Sequence, residues 1–367
     1  MLKEQIYDWL CRSIPSRSSG GTAKDSISLQ TDIGSVRTEN QDRVACLKMR
    51  SRVPGEPSAI VIALSDGMGG MRDGAKCASL AIASFFSTLL ENKAGAPTHR
   101  LATAAARANE DVHSFSNGHG GATLSAILIT SDLECTTLNI GDSRIYANYQ
   151  DNMTSLERLT IDDSLAEAVG GTNRDLIQYI GMGYGLKTNA KRMYTKPKHI
   201  ILTSDGVHFI NERTFFELVY HSQDINQLAN RLMTIVRWSG APDNASLAII
   251  SIENLRATFS EAPHGTFELW DAFSELHFLT FETQKEKLSE KENKDCQNDD
   301  QAKSLINTEQ NNSKPENLNK LSSPRKIVKK IPRTGQRKKK AIEVKEDLQI
   351  VIDMDATRLE NTDDTSK

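Results

Sequence analysis

The chain has 367 residues, of which 38% are hydrophobic and 25% charged, and its formal net charge at pH 7 is −3. The length allows one large domain or two, and the hydrophobic content suffices for a packed core in only part of the chain. The five cysteines are widely spaced and contain no Cys-x-x-Cys pair, so neither a disulfide framework nor a zinc site is indicated. No apolar stretch reaches the ~20 residues of a membrane helix, and the first residues do not resemble a signal peptide. We therefore expect a cytoplasmic protein.

A periodic apolar pattern between residues 25 and 253 predicts one folded domain, preceded by an N-terminal extension at 1–24. Short apolar runs predict eight strands in this domain, near residues 27–33, 43–49, 59–65, 122–130, 134–140, 144–149, 199–204 and 245–252. The strands come in runs and do not alternate singly with helices. This order favours the α+β class with antiparallel sheets over a doubly wound parallel sheet.

Four helices are predicted among these strands. Two of them, at 73–90 and 98–116, lie between the third and fourth strands, and Thr98 is the expected N-cap of the second. A later pair, at 211–221 and 225–238, precedes the last strand. A polar, glycine-rich segment at residues 160–195 separates the strands, and we expect a mobile insertion near the functional site.

Beyond residue 253 the composition changes. Residues 254–283 are rich in aromatic side chains and are predicted to form a linker or a docked helix. Residues 284–367 have too few apolar residues to offset the entropy of ordering, which predicts a largely disordered charged tail. Its basic run at 326–340 could attract an acidic partner or nucleic acid, although a solvated tail without a partner is the alternative. A strand-like island at 348–352 could pair with the strand of a partner.

Acidic residues stand at the ends of several predicted strands. Asp66 follows the apolar run at 59–64 and precedes three glycines in four residues. Four more acidic residues occupy comparable positions, namely Asp42, Asp142, Asp205 and Asp243. Glycine allows a backbone to approach a ligand closely, and its carbonyl can serve as a ligand beside a carboxylate. If these strand ends converge, they form an oxygen-rich site suited to Mg²⁺ or Mn²⁺.

Six short motifs occur in a fixed order between Gly34 and about Ser251. They are Gly34-Ser35-Val36-Arg37 with Asn40-Gln41-Asp42, Asp66-Gly67-Met68-Gly69-Gly70, Gly121-Ala122-Thr123-Leu124-Ser125-Ala126, Gly141-Asp142-Ser143-Arg144, Thr203-Ser204-Asp205-Gly206-Val207 and Asp243-Asn244-Ala245-Ser246. In this order they resemble the metal-dependent Ser/Thr protein phosphatases of the PPM, or type 2C, family. The Asp-Gly-Met-Gly-Gly form is similar to the bacterial branch. The resemblance implies a sandwich of two antiparallel β-sheets flanked by α-helices, in α-β-β-α layers.

The resemblance also implies a site with two Mn²⁺ or Mg²⁺ ions. In the family pattern Asp66 bridges the two ions together with the water that attacks the phosphoester, and the carbonyl of Gly67 is a further ligand. Asp205 and Asp243 then hold one ion, and Asp42 supports the other through bound water. The alternative is a purely structural role for these acids, in capping or turn formation at the strand ends.

Two more residues receive roles from the family pattern. Arg37 would grip the substrate phosphate, and Asp142 would help to recruit a third, weaker ion. Three positions depart from the pattern: Gln41 replaces a glutamate ligand, Met68 a histidine of animal members, and Phe209 an acidic ligand of the third ion. The alternatives are an ion pair of Arg37 with Glu39 or Asp42, and a turn in which Asp142 is held by Ser143 and Arg144.

These observations predict a metal-dependent protein serine/threonine phosphatase that acts on phosphoproteins and opposes a Ser/Thr kinase. A second hypothesis is a pseudo-phosphatase that binds phosphoproteins without hydrolysis. It is motivated by Gln41 and Phe209, two uncharged residues at positions where the family pattern has acidic ligands. A third hypothesis gives the main function to the tail, as a tether or scaffold. We expect substrate specificity to lie in the insertion and the tail.

Overall fold

The computed structural model describes residues 2–13, 19–24, 26–50, 58–68, 73–93, 95–149, 156–171, 175–259, 266–280 and 348–353. The strands are β1 (Ser19–Lys24), β2 (Ile27–Asp32), β3 (Asp42–Met49), β4 (Ala59–Asp66), β5 (Leu124–Thr130), β6 (Cys135–Ile140), β7 (Arg144–Asn148), β8 (Leu156–Arg158), β9 (Lys191–Arg192), β10 (His199–Thr203), β11 (Ala245–Ser251), β12 (Phe267–Asp271), β13 (Glu275–Thr280) and β14 (Leu348–Asp353). The helices are α1 (Leu2–Leu10), α2 (Gly74–Glu91), α3 (Pro97–Ser116), α4 (Leu165–Val169), α5 (Asp205–His208), α6 (Glu212–His221), α7 (Ile225–Trp238) and α8 (Leu255–Thr258). The chain divides into two compact units. The first comprises residues 1–279 with 349–367 and contains nearly all of these elements. The second comprises residues 280–348, of which the structure describes only Thr280 and Leu348.

The strands form two sheets. The six-stranded sheet has the order β1-β2-β11-β10-β7-β8, and the eight-stranded sheet has the order β14-β13-β12-β3-β4-β5-β6-β9. Strand pairing from β1 to β13 is antiparallel throughout. The predicted class, α+β with two antiparallel sheets, is therefore confirmed.

The main core lies between the two sheets. Strand β4 contributes Ile60, Ile62 and Leu64 to it, and β10 contributes Ile200 and Leu202. Alternate residues of a strand share one face of the sheet, so these side chains point to the interior of the sandwich. All five are fully buried. Each such side chain contributes about 1.5–3 kcal/mol by leaving water, which explains why short apolar runs form these strands.

Helices cover both outer faces of the sandwich. Helices α6 and α7 place Phe215 and Leu232 against Ile201 and Ile249 on the outer face of the six-stranded sheet. On the other side, α2 packs against β3 and β4, and α3 against β5 and β6. The predicted α-β-β-α layers are thus observed.

The predicted strands and helices of the domain are present, with ends that differ by at most two residues. The predicted N-cap Thr98 is wrong, because helix α3 begins one residue earlier. Its N-cap is Ala96 and its first residue is Pro97. Proline is favoured at this position since its ring fixes a helical φ and it lacks an N–H that would have no partner.

Residues before the predicted domain are part of the packed structure. Ile6, Trp9 and Leu10 of helix α1 are buried, and α1 packs against α2. Arg43 donates from Nε to the carbonyl oxygen of Leu10 at 3.1 Å. Strand β1 pairs with β2 at the edge of the six-stranded sheet. The N-terminal helix is therefore docked.

The expected linker or docked helix at 254–283 is corrected by the structure. The short helix α8 ends at Thr258, and the strands β12 and β13 form an antiparallel hairpin whose first strand pairs with β3. Phe267 and Leu269 are buried on one face and Trp270 is fully buried on the other, while Glu268 is partly exposed, so both faces of this strand are largely covered. The eight-stranded sheet thus continues beyond residue 253.

Two lysines hold this hairpin to neighbouring strands. Lys24 of β1 contacts both Glu268, at 3.3 Å, and Glu275. Lys48 of β3 lies 3.6 Å from Glu268, and His277 lies 2.9 Å from Glu275. The two glutamates and the histidine are close enough together to suggest a cation site. Because the lysines already neutralise the carboxylates, we interpret this cluster as an ion-pair network.

Most of the predicted tail lies outside the described residues, including the basic run at 326–340. The predicted strand-like island is observed as β14, at the edge of the eight-stranded sheet beside β13. No helix in the part of the chain that the structure describes combines the length and apolar character needed to cross a bilayer.

Candidate metal centre and adjoining cleft

Asp42 and Asp66 face each other at one end of the eight-stranded sheet. They are paired in the register of β3 and β4, so the two carboxylates arise from neighbouring strands. Ser204 donates its hydroxyl to Oδ2 of Asp42 at 2.7 Å. Asp42 is only 2% exposed, and among the described residues its Oδ1 has no hydrogen-bond partner. A buried oxygen without a partner is costly, and a bound cation would satisfy it.

The charges of four other carboxylates act on Asp66. Burial is the largest cause of a pKa well above the usual value, and the charges of Asp42, Asp205, Asp142 and Asp243 raise this pKa further. Such mutual repulsion requires that the groups lie close together. The contacts agree: Asp42 and Asp66 pair in register, Ser204 next to Asp205 bonds to Asp42, and Asp142 and Asp205 line one cleft. A cluster of this kind is suited to hard divalent cations.

Gly67 cannot carry a side chain in this fold. A Cβ at this residue would lie 2.3 Å from the carbonyl oxygen of Gly74. Its N–H donates to the carbonyl of Gln41 at 3.2 Å. Thr123 fixes the preceding residue, because its hydroxyl accepts from the N–H of Asp66 at 2.9 Å and its N–H donates to the carbonyl of Asp66 at 2.8 Å. The backbone at the end of β4 is thus held tightly beside the acids.

Asp205 and Asp243 come from the neighbouring strands of the other sheet. Asp205 is the first residue of α5 and stands two residues after the end of β10, and Asp243 stands two residues before β11. A Cβ at Gly206 would lie 1.8 Å from the carbonyl oxygen of Asn244. This close approach of two backbones puts the two acids at the same end of the sandwich.

Arg37 reaches the acidic cluster from the loop between β2 and β3. Its Nη2 donates to Oδ2 of Asp243 at 2.6 Å, so the observed ion pair differs from the predicted alternatives with Glu39 or Asp42. This hydrogen bond, together with the charges of Asp243, Asp205 and Asp66, raises the pKa of Arg37. The arginine side chain is still 41% exposed and is accessible to a ligand.

Asn244 anchors the loop that carries Arg37. Its Oδ1 accepts from the N–H of Gln41 at 2.8 Å. Its Nδ2 donates to the carbonyls of Ile33 and Glu39 at 2.8 and 3.0 Å. The amide therefore ties three points of the loop to the start of β11, which positions the loop that carries Arg37.

Asp142 lies in the turn between β6 and β7. Burial, followed by the charges of Asp205 and Asp162, raises its pKa to about 7. The side chains of Ser143 and Arg144 form other hydrogen bonds than those of the predicted alternative, a turn held among Asp142, Ser143 and Arg144. Arg144 donates to both oxygens of Asp162 at 2.8–3.2 Å, and the hydroxyls of Ser143 and Thr123 are 2.9 Å apart.

The oxygen atoms of these residues fit divalent cations. Two of the three positions that depart from the family pattern, Gln41 and Met68, lie in the same motifs as Asp42 and Asp66. The side chain of Gln41 donates to Oε2 of Glu39 at 3.2 Å, and its oxygen is a neutral donor where the family pattern has a carboxylate. The N–H of Met68 donates to the carbonyl of Gly121 at 3.1 Å. The last two glycines of this motif, Gly69 and Gly70, lie outside the described residues.

A cleft with a volume of about 660 Å³ adjoins the acidic cluster at Asp142 and Asp205. One side is formed by the insertion predicted near the site, and the other by α5 and α6. Asp163 tethers the insertion, because its Oδ2 accepts from the N–H of Gly141 at 3.0 Å.

Asp162 and Asp163 were not among the predicted site residues, although an acidic pair in a polar insertion is a usable signal. The proximity of the insertion to the site is as predicted.

The buried acids predict how the stability of the metal-free protein depends on pH. Burial raises the pKa of Asp42 to about 6 and that of Asp142 to about 7. Both exceed the usual value, so the folded state binds more protons than the unfolded state between about pH 4 and 7. The contribution of these groups to stability is therefore present at low pH and is lost as the pH rises. We expect the Tm in EDTA to fall by roughly 5 °C between pH 5.5 and 8.

Thermal unfolding at several pH values checks this expectation. Saturating Mn²⁺ should reverse the trend, because carboxylates must be deprotonated to bind metal. In the variant Asp142→Asn the fall should be smaller, whereas Asp132→Asn, at an exposed position, should behave as the wild type does. A metal-free Tm that rises over this range contradicts the prediction.

Fold and site together define a class of protein: a two-sheet sandwich with a cluster of carboxylates and one arginine at the end where both sheets meet. The sequence profile of the protein phosphatase 2C family matches residues 35–241, which is more than half of the 367 residues. The chain belongs to this family. A search of curated protein sequences found no match.

Solved structures share the fold. The serine/threonine phosphatase Stp1 from Staphylococcus aureus is 18% identical, with a TM-score of 0.54, over 65% of this chain and 99% of that chain. The serine/threonine phosphatase of S. agalactiae is 22% identical, with a TM-score of 0.53, over 61% of this chain and 98% of that one. The catalytic domain of PstP, in complex with two manganese ions, is 22% identical, with a TM-score of 0.50, over 64% of this chain and 99% of that one.

Proposed function

We propose that this protein is a metal-dependent phosphatase that hydrolyses phosphoserine and phosphothreonine in proteins. The observation that carries the proposal is the gathering of acids at one end of the sandwich, where Asp42 pairs in register with Asp66, Ser204 bonds to Asp42, and Arg37 bonds to Asp243. A dense cluster of negative carboxylates beside one exposed arginine is unfavourable unless cations bind to it. With cations bound, the site attracts a phosphate group.

We assign the metal-binding role to Asp66, Gly67, Asp205, Asp243 and Asp42. Their oxygens are hard donors that suit two Mn²⁺ or Mg²⁺ ions. When bound, the two ions offset the charge of the phosphate and lower the pKa of a water, which makes it a nucleophile at neutral pH. The chain contributes rigidity, since the glycine contacts and the bond from Ser204 fix the carboxylates before any ion arrives.

Arg37 is assigned to the substrate phosphate. A guanidinium can bind two phosphate oxygens at once, which an ammonium cannot. Its bond to Asp243 keeps the side chain directed at the cluster. Asp142 is the candidate for a third, weaker ion. Phe209, which follows Asp205 by one helical turn, offers no oxygen for that ion.

The partners we propose are phosphoprotein substrates and a Ser/Thr kinase with the opposite activity. A cytoplasmic location is part of the same proposal. It accords with the free thiols of the buried residues Cys46, Cys77 and Cys135, which suit a reducing compartment. Binding of an acidic partner or nucleic acid by the basic run concerns residues that the structure does not describe.

Phosphate release from a phosphothreonine peptide tests the proposal. The purified protein should release phosphate with Mn²⁺ and should stop when EDTA is added, and calorimetry should detect two bound ions. A protein that binds the peptide and the metal but releases no phosphate would instead be a pseudo-phosphatase. Failure to bind any divalent ion would disprove the metal site altogether. Since all five acids and Arg37 are retained, the structure offers no observation in favour of the pseudo-phosphatase.

A further inference from the structure

One wall of the cleft beside the acidic cluster is apolar and aromatic. It consists of Phe209, Ile210, Phe215 and Phe216. Ile210 and Phe215 are buried, whereas Phe209 and Phe216 are partly exposed and face the cleft. The ring of Phe215 lies 4.9 Å from that of Tyr146 and 6.4 Å from that of Phe216. The exposed rings are thus supported from behind by a packed aromatic group.

The opposite wall carries charged side chains that form ion pairs with one another. Arg144 and Arg158 both donate to Asp162, at 2.8 and 2.6 Å. Arg158 also lies 3.5 Å from Glu167. Because both guanidinium groups are engaged by carboxylates, this wall does not present a cation for an acidic side chain. The two arginines are balanced by the two carboxylates Asp162 and Glu167, and the exposed Glu212 adds a further negative charge at the cleft.

Phe209 connects the aromatic wall to the acids. Its N–H donates to the carbonyl of Asp205 at 3.0 Å, so its side chain begins one helical turn from that carboxylate. At this point the cleft offers a ring and no oxygen donor. The cleft volume, about 660 Å³, lies within the roughly 300–1,000 Å³ of typical ligand pockets and is sufficient for side chains of a bound polypeptide.

We propose that this cleft binds the substrate polypeptide beside its phosphorylated residue and selects an apolar side chain there. The inference rests on the proposed phosphatase function and names its substrate class: phosphopeptides with an apolar residue near the phosphoserine or phosphothreonine. Phe209 and Phe216 are the specificity-determining contacts. An apolar side chain leaves water against their rings, whereas an acidic one would be desolvated beside Glu212, with Arg144 and Arg158 already paired to carboxylates.

A set of matched phosphothreonine peptides tests this inference on the full-length chain with Mn²⁺. Leu, Phe, Lys and Glu are placed in turn at each of the three positions on either side of the phosphothreonine. At one position or more, kcat/KM should be about tenfold higher for Leu or Phe than for Glu, as partial burial of an apolar side chain predicts. The difference should arise mainly in KM. Hydrolysis of p-nitrophenyl phosphate, which has no such side chain, serves as the reference.

Variants identify the wall responsible. Phe216→Ser should reduce the preference to less than about threefold while the rate on p-nitrophenyl phosphate is unchanged. Tyr220→Ser is the matched control, since Tyr220 lies on the same helix, is 44% exposed and does not line the cleft. Phe209→Ala, which removes the ring without adding an oxygen donor, is measured in parallel, so that a folding defect of one variant, visible as loss of the reference activity, leaves the other to decide.

The outcomes separate the two proposals. If the wild type hydrolyses neither peptides nor p-nitrophenyl phosphate with Mn²⁺, the phosphatase function fails. If it hydrolyses all peptides equally, or prefers Glu, the apolar cleft is refuted and the phosphatase function stands. The cleft is also refuted if either variant keeps both the reference activity and the full preference of the wild type.

Discussion

Replacing Asp66 by asparagine should abolish phosphate release, with a loss of at least about 10³ in kcat/KM, while the protein remains folded. Asn has the shape of Asp but lacks the charge that two cations would share, and loss of a metal ligand removes the chemistry that the ions supply. Since burial and four neighbouring carboxylates favour the neutral form of Asp66, the neutral amide should not destabilise the metal-free protein. We expect its Tm in EDTA to equal or exceed that of the wild type.

Three measurements on Asp66→Asn check this result: phosphate release, Mn²⁺ binding by calorimetry and the Tm with and without metal. The stabilisation that Mn²⁺ is expected to give the wild type should largely disappear in this variant. The exposed Asp132, changed to asparagine, is the control and should behave as the wild type in all three. Unchanged Mn²⁺ binding by Asp66→Asn would contradict the assignment of this residue.

The second large effect is expected for Gly206→Ala, which adds a single methyl group. The new Cβ would lie 1.8 Å from the carbonyl oxygen of Asn244, a backbone atom that cannot rotate away. Strand β11 or helix α5 would have to move, and we expect a loss of about 3 kcal/mol or more in the free energy of unfolding. Because Gly206 follows Asp205 and Asn244 follows Asp243, activity should fall in the molecules that still fold.

Gly21→Ala provides a matched control for this substitution. At Gly21 the nearest atom to a new Cβ belongs to the flexible side chain of Gln30, at 3.2 Å, which can move aside. Urea unfolding of both variants, with phosphate release by the folded fraction, distinguishes them. Similar stabilities for the two variants would show that the contact at Gly206 is relieved more easily than the structure indicates.

Local patterns in the sequence were sufficient for much of the fold. The predicted strands and helices of the domain are present because each is specified by neighbouring residues: apolar runs for strands and helical spacing for helices. The clustering of Asp42, Asp66, Asp142, Asp205 and Asp243 was also anticipated, since all five stand at strand ends. Family membership follows from the same motifs, whose order along the chain survives at low overall identity.

Other features depend on contacts between distant residues. The hairpin of β12 and β13 was missed because its first strand is completed only by pairing with β3, more than 200 residues earlier. The ion pair of Arg37 with Asp243 was likewise not visible in local patterns.

The division between sequence and tertiary structure is clearest at the site. The amino-acid pattern alone predicts the ligand chemistry, because a carboxylate at a strand end is a local property. The cleft, by contrast, exists only after folding, which places an insertion opposite α5 and α6 and brings Phe209 and Phe216 into the same cleft as Asp142 and Asp205. Burial, mutual repulsion of charges and the shape of a cavity depend on distances across the chain, and only packing determines these distances.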